Sequence, residues 1–511
     1  MARDWRDDRI AELEREVAER DAIIAEQQKR IAYLEAQVAA LVARVAELVA
    51  RVAELEEKLR KSSRNSSKPP SSDGPKDRHA RTGKKPTGRA PGGQPGHRKH
   101  HRPEVPPEKV SKRVVLRPKE CAKCAAPLGG NDPEPHRHQV FELPPVEPIV
   151  TEYVQHTLSC SGCGHATRAP LPQGVPTRVF GPSVAAACGY FIGVHRLGKR
   201  ATAEVLHDVF GLPISVGAVV DSQQEVSRAL EKPYNEAVEH AQAAPIKNAD
   251  ETSWREGNGK NQAKAWLWTL VTSHVIVFMV HASRAQHAAL KLLLCGKTAL
   301  KDVVFGCLGT DRHGAYNFWP LALRQFCWSH LKRDFTAIAE RSGAAAIVGK
   351  KLLEETERLF ALWHRVRDGT LSRARFQIYM RALRVRVEAL LVQGSGLTDK
   401  KTARTCSKLL KSSEAMWTFV RIEGVEPTNN SGERAVRHGV IFRKLSGGTK
   451  SVAGSRFVER VLTVQATLRL QGRSILRFLQ AACEARVRNC APPSLLPSTR
   501  TEPSPRFRMA A

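Results

Sequence analysis

Three acidic residues lie far apart in the sequence but at comparable places in its pattern of apolar segments. Asp250 lies in a short apolar strand, Asp311 directly follows another, and Glu433 stands near the start of a helix; they are 61 and then 122 positions apart. Carboxylate oxygens are ligands that Mg²⁺ prefers, and two such cations roughly 3.5 to 4 Å apart stabilise both reacting oxygens of a phosphodiester during hydrolysis. The three residues are therefore candidates for a site that breaks phosphodiester bonds.

Each acid also has an ordinary interpretation when it is taken alone. Asp250 could cap a turn, Asp311 could form a surface ion pair, and Glu433 could complete a helix-capping box. The ordered set favours the catalytic interpretation. Glu251 is adjacent to Asp250 in the strand, so its side chain should point to the opposite face.

The sequence from residue 245 onward predicts the elements that must position these acids. Three apolar strands separated by turns indicate an antiparallel meander, and a helix, a fourth strand, a short fifth strand and long helices follow. The predicted segments are 246–254, 265–272, 274–280, 284–294, 302–308, 324–328 and 330–420. This is the element order of the ribonuclease H-like fold, in which strands one and four are neighbours, so the acids should converge.

A seven-residue repeat from Ile10 to Leu59 predicts a long helix. β-branched residues dominate one apolar column and leucine the other, which is the preference of a parallel two-stranded coiled coil. The alternative is a single amphipathic helix that folds back on the protein's own core. The columns are Ile10, Val17, Ile24, Ile31, Val38, Val45, Val52 and Leu59, and Leu13, Arg20, Gln27, Leu34, Leu41, Leu48 and Leu55.

Residues 61–107 are rich in Ser, Pro, Gly and basic side chains, with 12 Lys or Arg against 3 acids. Such a segment cannot bury a core. We expect a disordered tether, which either adheres to phosphates or serves as a plain linker.

Two cysteine pairs, Cys121 with Cys124 and Cys160 with Cys163, have the two-residue spacing of zinc knuckles. Four soft ligands in this pattern suit tetrahedral Zn²⁺ in a structural role. The β-branched run at 140–158 could form strands between the pairs. The alternative is a set of unrelated buried or redox-active cysteines.

The segment 183–232 predicts helices that are interrupted at Phe210-Gly-Leu-Pro213, with Ser215 as a cap for the next helix. A helix, a short turn and a second helix is one way in which proteins enter the DNA major groove. An ordinary helical hairpin is the alternative.

Several of these motifs together resemble the transposases of the insertion sequence 66 family. The heptad helix, the basic tether with its Gly-Gly-Gln-Pro-Gly-His run and the paired cysteines are similar to that family in the same order, over roughly residues 10 to 480. The catalytic-region matches are Asn248-Ala-Asp250-Glu251-Thr252, Thr310-Asp311, Cys327-Trp-Ser-His330, and Pro427-Thr-Asn-Asn430 followed by Glu433-Arg434. The tail after residue 488 departs from the family's usual ending.

The resemblance implies that Asp250, Asp311 and Glu433 correspond to the catalytic acids of an Asp-Asp-Glu motif. Asp250 would then bridge two Mg²⁺ or Mn²⁺ ions, Asp311 would hold one and Glu433 the other. One site would first admit water to expose a 3′ hydroxyl and then admit that hydroxyl against a target strand.

Basic residues near Glu433 are candidates for gripping the phosphates of the scissile strand, with solvated charges as the alternative. They are Arg434, Arg437, Arg443, Lys444 and Lys450. Cys327 and His330 form a Cys-x-x-His pair, for which a structural role is favoured over metal binding because two ligands alone do not make a zinc site.

The composition supports a nucleic-acid partner. The chain has 81 Lys plus Arg against 51 Asp plus Glu, and its first 60 residues hold 11 basic and 14 acidic groups, so the excess lies beyond them. Lys and Arg that neutralise phosphates release counterions and gain affinity. No apolar run approaches a membrane span or signal peptide. We therefore expect a cytoplasmic, nucleoid-associated bacterial protein without membrane contact.

We thus expect a multidomain α/β enzyme, a metal-dependent transposase that binds, cleaves and joins the DNA of element ends, acts as a dimer and has accessory proteins as further candidate partners. Its predicted parts are a coiled-coil dimerisation helix (1–60), a disordered basic linker (61–107), a zinc-binding domain (108–170), a helical candidate DNA-binding region (171–244), a ribonuclease H-like catalytic domain (245–488) with a helical insertion at about 330–425, and a disordered tail (489–511). The alternatives are a regulatory DNA-binding protein that has lost cutting, and a nuclease or junction resolvase that hydrolyses without joining.

Overall fold

The computed structural model describes residues 5–60, 66–67, 103–259, 262–294 and 306–497. Contacts divide the chain into two compact units. The first comprises Met1–Gly83, Leu331–Thr370 and Arg381–Leu410, and the second comprises Lys84–His330, Leu371–Met380 and Lys411–Ala511. Among the described helices, none combines the length and the apolar character needed to cross a bilayer.

The helices of the described segments are, in chain order, α1 (Trp5–Arg60), α2 (Pro182–Gly193), α3 (Lys199–Phe210), α4 (Val216–Ala229), α5 (Glu231–Ala243), α6 (Gln286–Leu294), α7 (Trp328–Ala339), α8 (Gly343–Arg367), α9 (Arg373–Ser395), α10 (Lys400–Lys411), α11 (Thr418–Arg421), α12 (Asn430–Ser446), α13 (Val452–Leu470) and α14 (Ile475–Val487). The strands are β1 (Thr157–Ser159), β2 (Ala166–Arg168), β3 (Ile246–Glu256), β4 (Ala263–Val271), β5 (Ile276–His281), β6 (Cys307–Thr310) and β7 (Arg324–Phe326).

Helix α1 covers almost the whole predicted heptad segment as one continuous helix. Its described side chains are exposed from residue 8 to residue 57, including the apolar columns, of which Ile31 is 55% and Leu48 52% exposed. The alternative in which this helix folds back and buries its apolar face in the protein's own core is therefore not what the structure shows. The predicted tether that follows lies, except for Ser66, Ser67 and residues 103–107, outside the described residues.

The cysteine-rich region contains little regular structure. The strands β1 and β2 form an antiparallel hairpin around the second cysteine pair, with Leu158 opposite Thr167. The run at 140–158, which the sequence predicted to form strands, carries only the first two residues of β1. Its apolar side chains are exposed, with Ile149 at 97% and Val150 at 84%.

The helical region before the sheet agrees with the predicted helix, turn and helix. Helix α3 ends at Gly211, whose φ of 60° is the left-handed conformation that glycine adopts without strain. Helix α4 begins after Ser215, whose hydroxyl accepts a hydrogen bond from the amide of Ala218 at 3.2 Å. The close packing of α2 depends on Gly193, since a Cβ there would stand 2.4 Å from a methyl group of Val461.

The central sheet has five strands in the order β5-β4-β3-β6-β7. The β3–β4 and β4–β5 pairs are antiparallel, and the β3–β6 and β6–β7 pairs are parallel. The predicted antiparallel meander is therefore present as β3, β4 and β5. The first and fourth strands of the sheet in chain order, β3 and β6, are neighbours, as the sequence predicted. The fourth strand of the described chain, β6, starts at Cys307. Residues 302–305, which were also predicted as part of this strand, lie outside the described chain.

The outer edge of β5 is covered by side chains of α13, one helical turn apart. Glu459 accepts a hydrogen bond from the amide of Val280 at 2.6 Å, and the hydroxyls of Thr463 and Thr467 accept from Phe278 and Ile276, both at 3.0 Å. An uncovered edge would leave its backbone groups open to another strand. The helix thus closes this side of the sheet.

Between β7 and α12 the chain leaves the sheet and later returns to the place where it left. The amide of Trp328 donates to the carbonyl of Pro427 at 2.9 Å, and the Trp328 indole donates to the carbonyl of Met416 at 2.8 Å. The intervening helices agree with the predicted insertion. Within the first unit, buried Glu355 on α8 is held by both ends of the Arg386 guanidinium on α9, at 2.9 and 3.0 Å.

Residues 489–497 differ from the predicted disordered tail. Leu495 is fully buried in the core. Its amide donates to the Glu236 carboxylate at 3.1 Å, and its carbonyl accepts from the Gln471 amide at 2.8 Å. The sequence signal was misleading because the Pro- and Ser-rich composition concealed one well-placed leucine. Residues 498–511 lie outside the described chain.

Candidate active site

The parallel pairing of β3 with β6 brings Asp250 and Asp311 to the same place. The last residue pair of that ladder is Asn248 with Gly309, and each acid follows its member of the pair by two residues. Strand neighbours lie about 4.8 Å apart and residues two apart share a face. A Cβ on Gly309 would stand 2.0 Å from the Asn248 amide oxygen, so a larger residue here would displace the Asn248 side chain.

Asp250 is a partly buried carboxylate in a negative environment. Burial raises the pKa of Asp250 well above its ordinary value, and the charges of Glu251, Asp311 and Glu433 raise it further. The amide of Glu251, which donates to Asp250 Oδ1 at 2.9 Å, acts in the opposite direction. Such a carboxylate is stabilised in its charged form by a cation, and the donor set fits a hard divalent metal ion.

Asp311 stands in a turn that is held by a buried arginine. Its Oδ1 accepts from the amide of His313 at 2.8 Å, and its carbonyl accepts from Arg324 Nη2 at 3.0 Å. Arg324 is 1% exposed and also donates to the Thr310 hydroxyl at 3.1 Å. Burial lowers the pKa of Arg324 to about 10. The sequence analysis did not single out this positioning residue.

Glu433 lies in the first turn of α12. Its amide donates to the carbonyl of Asn429 at 3.0 Å, and its Oε1 lies 3.5 Å from His330 Nδ1. The side chain of the N-cap residue Asn429 makes no capping hydrogen bond with this helix. The capping-box alternative for Glu433 therefore does not describe its contacts.

Asn429 connects the elements that carry the acids. It is 1% exposed; its Nδ2 donates to the carbonyl of Ala249 at 2.8 Å, and its backbone amide donates to Cys327 Sγ at 3.2 Å. Asn429 thereby ties the residue before Asp250 to the end of β7 and to the start of α12. The sequence analysis noted its motif but did not assign it a role, because the partners are 102 and 180 positions away.

Glu251 points away from this cluster, as the strand alternation predicted. Its side chain is 1% exposed and binds Arg284 Nη2 at 2.8 Å and the Tyr316 hydroxyl at 2.6 Å. Burial and the Glu251 charge raise the pKa of Tyr316, so the phenol stays protonated and donates. Glu251 is a buried structural residue that holds the back of β3.

The three predicted ligands of Mg²⁺ are less closely grouped than another set of ligand-type side chains. Among the described residues, the ligand-type atoms that lie within 4.8 Å of one another belong to Cys327, His330 and Glu433. The carboxylates of Asp250, Asp311 and Glu433 are close enough for the second and third to raise the pKa of the first, but they do not form so tight a group.

The predicted DNA-contacting residues fall into two groups. Arg434, Arg437, Lys444 and Lys450 are exposed. Arg443 is partly buried, and its guanidinium donates to the carbonyl and hydroxyl of Ser253, so it binds α12 to β3. Arg443 and Lys444 lie in the last turn of α12 rather than on the loop after it.

A basic cluster that the sequence analysis missed lies near α12. Burial lowers the pKa of His438, and Arg469, Arg196 and Arg437 lie close enough to lower it further. Arg196, in the turn between α2 and α3, has a φ of 64° and its Nε is buried without a hydrogen-bond partner. In the described chain no carboxylate pairs with these arginines, which leaves the cluster suited to an anion.

The two cysteine pairs form knuckles of the same construction. The amide of Cys121 donates to Ala126 and its carbonyl accepts from Ala125; the amide of Cys160 donates to His165 and its carbonyl accepts from Gly164, all at 2.8 or 2.9 Å.

Ala125 and Gly164 occupy equivalent positions with φ of 56° and 71°. Hydrogen bonds from backbone amides, foremost that of Lys123, lower the pKa of Cys121, and those headed by Gly162 lower the pKa of Cys160. These features fit thiolate ligands of zinc, although all four sulfurs are not gathered within 4.8 Å of one another in the described chain.

Comparison with known proteins adds three matches to protein-family models. Residues 179–456 match the family described as transposase IS66 family, and residues 118–164 match the zinc-finger binding domain of transposase IS66. Residues 9–103 match a family of unknown function (DUF6444). No curated protein matches the chain.

Proposed function

Because the chain belongs to the IS66 family of transposases, whose model covers more than half of it, we propose that it cleaves the DNA at the ends of an insertion sequence and joins those ends to a target. The observation that carries this proposal is the placement of three acids: Asp250 and Asp311 each stand two residues beyond the last pair of the parallel β3–β6 ladder, and Glu433 lies in the first turn of α12. Three carboxylates on neighbouring elements suit a reaction that depends on divalent cations.

We propose that residues 245–488 form a ribonuclease H-like catalytic domain. The support is the strand order β5-β4-β3-β6-β7 with an antiparallel meander followed by parallel strands, and the helix α12 that carries the third acid. The helices between β7 and α12 then correspond to an insertion between the second and third acids.

In this proposal Asp250, Asp311 and Glu433 would together hold two Mg²⁺ or Mn²⁺ ions. When bound, the ions stabilise the attacking and leaving oxygens on opposite sides of one phosphorus. The protein's own part is positioning: Arg324 fixes the turn of Asp311, Asn429 fixes the start of α12 relative to β3, and Glu251 anchors the opposite face of β3.

The proposed DNA contacts combine exposed and partly buried basic residues. Arg434, Arg437, Lys444 and Lys450 are exposed and can contact phosphates, and Arg196 and Arg469 extend the positive surface beside α12. Phosphate contacts of this kind set the register of DNA on a protein. The helices α3 and α4 remain candidates for reading the element ends.

The chain contains the zinc-finger domain of this family, which supports structural zinc. We propose Cys121, Cys124, Cys160 and Cys163 as its four ligands, because both knuckles present their thiols in the same way.

We also propose that α1 pairs with α1 of a second copy. The support is its exposed pair of apolar columns along eight heptad positions. Deleting residues 1–60 should halve the mass measured by light scattering; an unchanged mass would reject the pairing.

Incubation of the full chain with supercoiled DNA bearing the element ends tests the function. In Mg²⁺ we expect nicked or cut DNA, and on addition of a second DNA we expect joined products; chelation of Mg²⁺ should stop both. A chain that binds the ends without cutting would be a regulatory protein, and one that cuts without joining would be a nuclease or resolvase.

A further inference from the structure

Glu433 also belongs to a second group of potential metal ligands, which does not include Asp250 or Asp311. Cys327 Sγ, one imidazole nitrogen of His330 and one carboxylate oxygen of Glu433 lie within 4.8 Å of one another. Cys327 is 1% exposed, while the side chains of His330 and Glu433 are 28% and 37% exposed, so the group opens to solvent on one side.

The backbone holds these three residues firmly. Cys327 directly follows β7, and its amide donates to the carbonyl of Thr310 at 2.9 Å. His330 lies one helical turn further on, with its amide donating to the Cys327 carbonyl at 3.0 Å. Glu433 is fixed by Asn429, whose own amide donates to Cys327 Sγ. Binding a cation here would need only small side-chain rotations.

The donor set differs in chemistry from that of the three acids. A thiolate, an imidazole and a carboxylate together suit borderline cations such as Zn²⁺ or Co²⁺, which bind sulfur and nitrogen, whereas Mg²⁺ prefers oxygen. Three protein ligands with one open side also match the usual arrangement at zinc sites that keep a fourth position for water or substrate.

We propose that Cys327, His330 and Glu433 form a binding site for a borderline transition-metal cation, and that occupation of this site withdraws Glu433 from the Mg²⁺ site and inhibits DNA cleavage. When the cation binds, the S–H bond of Cys327 breaks, its proton passes to solvent and a sulfur–metal bond forms, with no change of oxidation state. The inhibitory part rests on the function proposed above, whereas the binding site does not.

Cobalt binding to the full chain tests the site without reference to activity. Co²⁺ coordinated by a thiolate gives a charge-transfer absorption band, and each wild-type chain should bind one more equivalent with this band than Cys327→Ser does. His330→Ala, which leaves the Cys327–Asn429 hydrogen bond in place, should lose the same equivalent. Cys307→Ser removes an equally buried thiol of the same sheet and should retain it. Equal stoichiometry in wild type, Cys327→Ser and His330→Ala overturns the site.

Zinc titration of DNA cleavage at constant Mg²⁺ tests the competition. Zn²⁺ should inhibit the wild type, and Cys327→Ser should need at least roughly tenfold more zinc for the same inhibition, since the loss of a residue that only orients a metal ligand already costs that much affinity. Cobalt binding without zinc inhibition of an active wild type overturns the competition. A wild type that never cuts DNA in Mg²⁺ contradicts the proposed function instead, and the cobalt result then still decides the site.

Discussion

Each cysteine knuckle closes within a few residues, as from Cys121 to Ala126, whereas the carboxylate site is closed by hydrogen bonds such as that from Asn429 to Ala249, 180 positions away. The knuckles need no packed core around them: Cys124, Cys160 and Cys163 are exposed. The acids depend on a buried sheet. A site built from neighbouring residues is stabilised by its metal. A site built from distant residues is held by the fold, so its structure, though not its activity, should tolerate the loss of a metal ligand.

The largest effect should follow from neutralising an acid. Asp250→Asn, Asp311→Asn and Glu433→Gln keep side-chain size but remove a charge that the cations need, so DNA cleavage should fall at least about a thousandfold. Thermal unfolding should change little, because the sheet forms without metal. DNA binding should persist or tighten slightly, since repulsion of phosphates decreases.

Glu423→Gln, at an exposed acid nearby, is the matched control and should cleave normally. Normal cleavage by Glu433→Gln together with inactivity of Glu423→Gln would show that the third ligand is misassigned. Glu251→Gln should instead lower thermal stability, because it weakens the buried contacts with Arg284 and Tyr316.

Removing the second knuckle should change the zinc content and leave the stability of the sheet unchanged. Cys160→Ser with Cys163→Ser should lower the zinc content by about one per chain, the stoichiometry expected of a four-thiolate site. Elemental analysis of the purified protein measures this. The main unfolding transition, which reports the sheet, should keep its midpoint. Unchanged zinc would refute the ligand assignment, and a large fall in the midpoint would refute the local construction of the knuckles.

Asn429→Ala tests whether long-range hydrogen bonds set the geometry of the acids. It leaves the carbonyl of Ala249 without its donor, so cleavage should fall roughly ten- to a hundredfold, as for residues that orient metal ligands. The Mg²⁺ concentration needed for half-maximal cleavage should rise as well. Asn430→Ala changes the exposed neighbour and should have little effect on either quantity. A rate loss without a change in Mg²⁺ dependence would argue against positioning of the acids.

The smallest effect should come from the basic residues of α12. Arg437→Gln should reduce the salt dependence of DNA affinity by about one phosphate contact. Arg443→Gln should chiefly lower thermal stability, since its guanidinium binds Ser253. An equal loss of salt dependence in both variants, with stability unchanged, would place Arg443 among the DNA contacts after all.

The sequence predicted well what is periodic or local. The heptads gave α1, the alternation gave the meander and the side on which Glu251 lies, and the Cys-x-x-Cys spacing gave the knuckles. What it missed depends on contacts between distant residues. Nothing near Arg324 reveals that it bonds to the turn of Asp311, and nothing near Arg443 reveals that Ser253 occupies its guanidinium. Leu495 was hidden in the same way, since its partners Glu236 and Gln471 are distant in the sequence.

The Trp328 amide donates to the Pro427 carbonyl and so fixes together the two ends of the intervening chain. The geometry of the acids is therefore independent of the length of that chain. Once two points of a chain are fixed together, doubling the length of the loop between them costs only about 0.6 kcal/mol of closure entropy. Residues 381–410, a part of this stretch that belongs to the first unit, can therefore be exchanged or extended by protein engineering while Glu433 keeps its place. This segment is the natural position for inserting a fluorescent or affinity module into an otherwise intact enzyme.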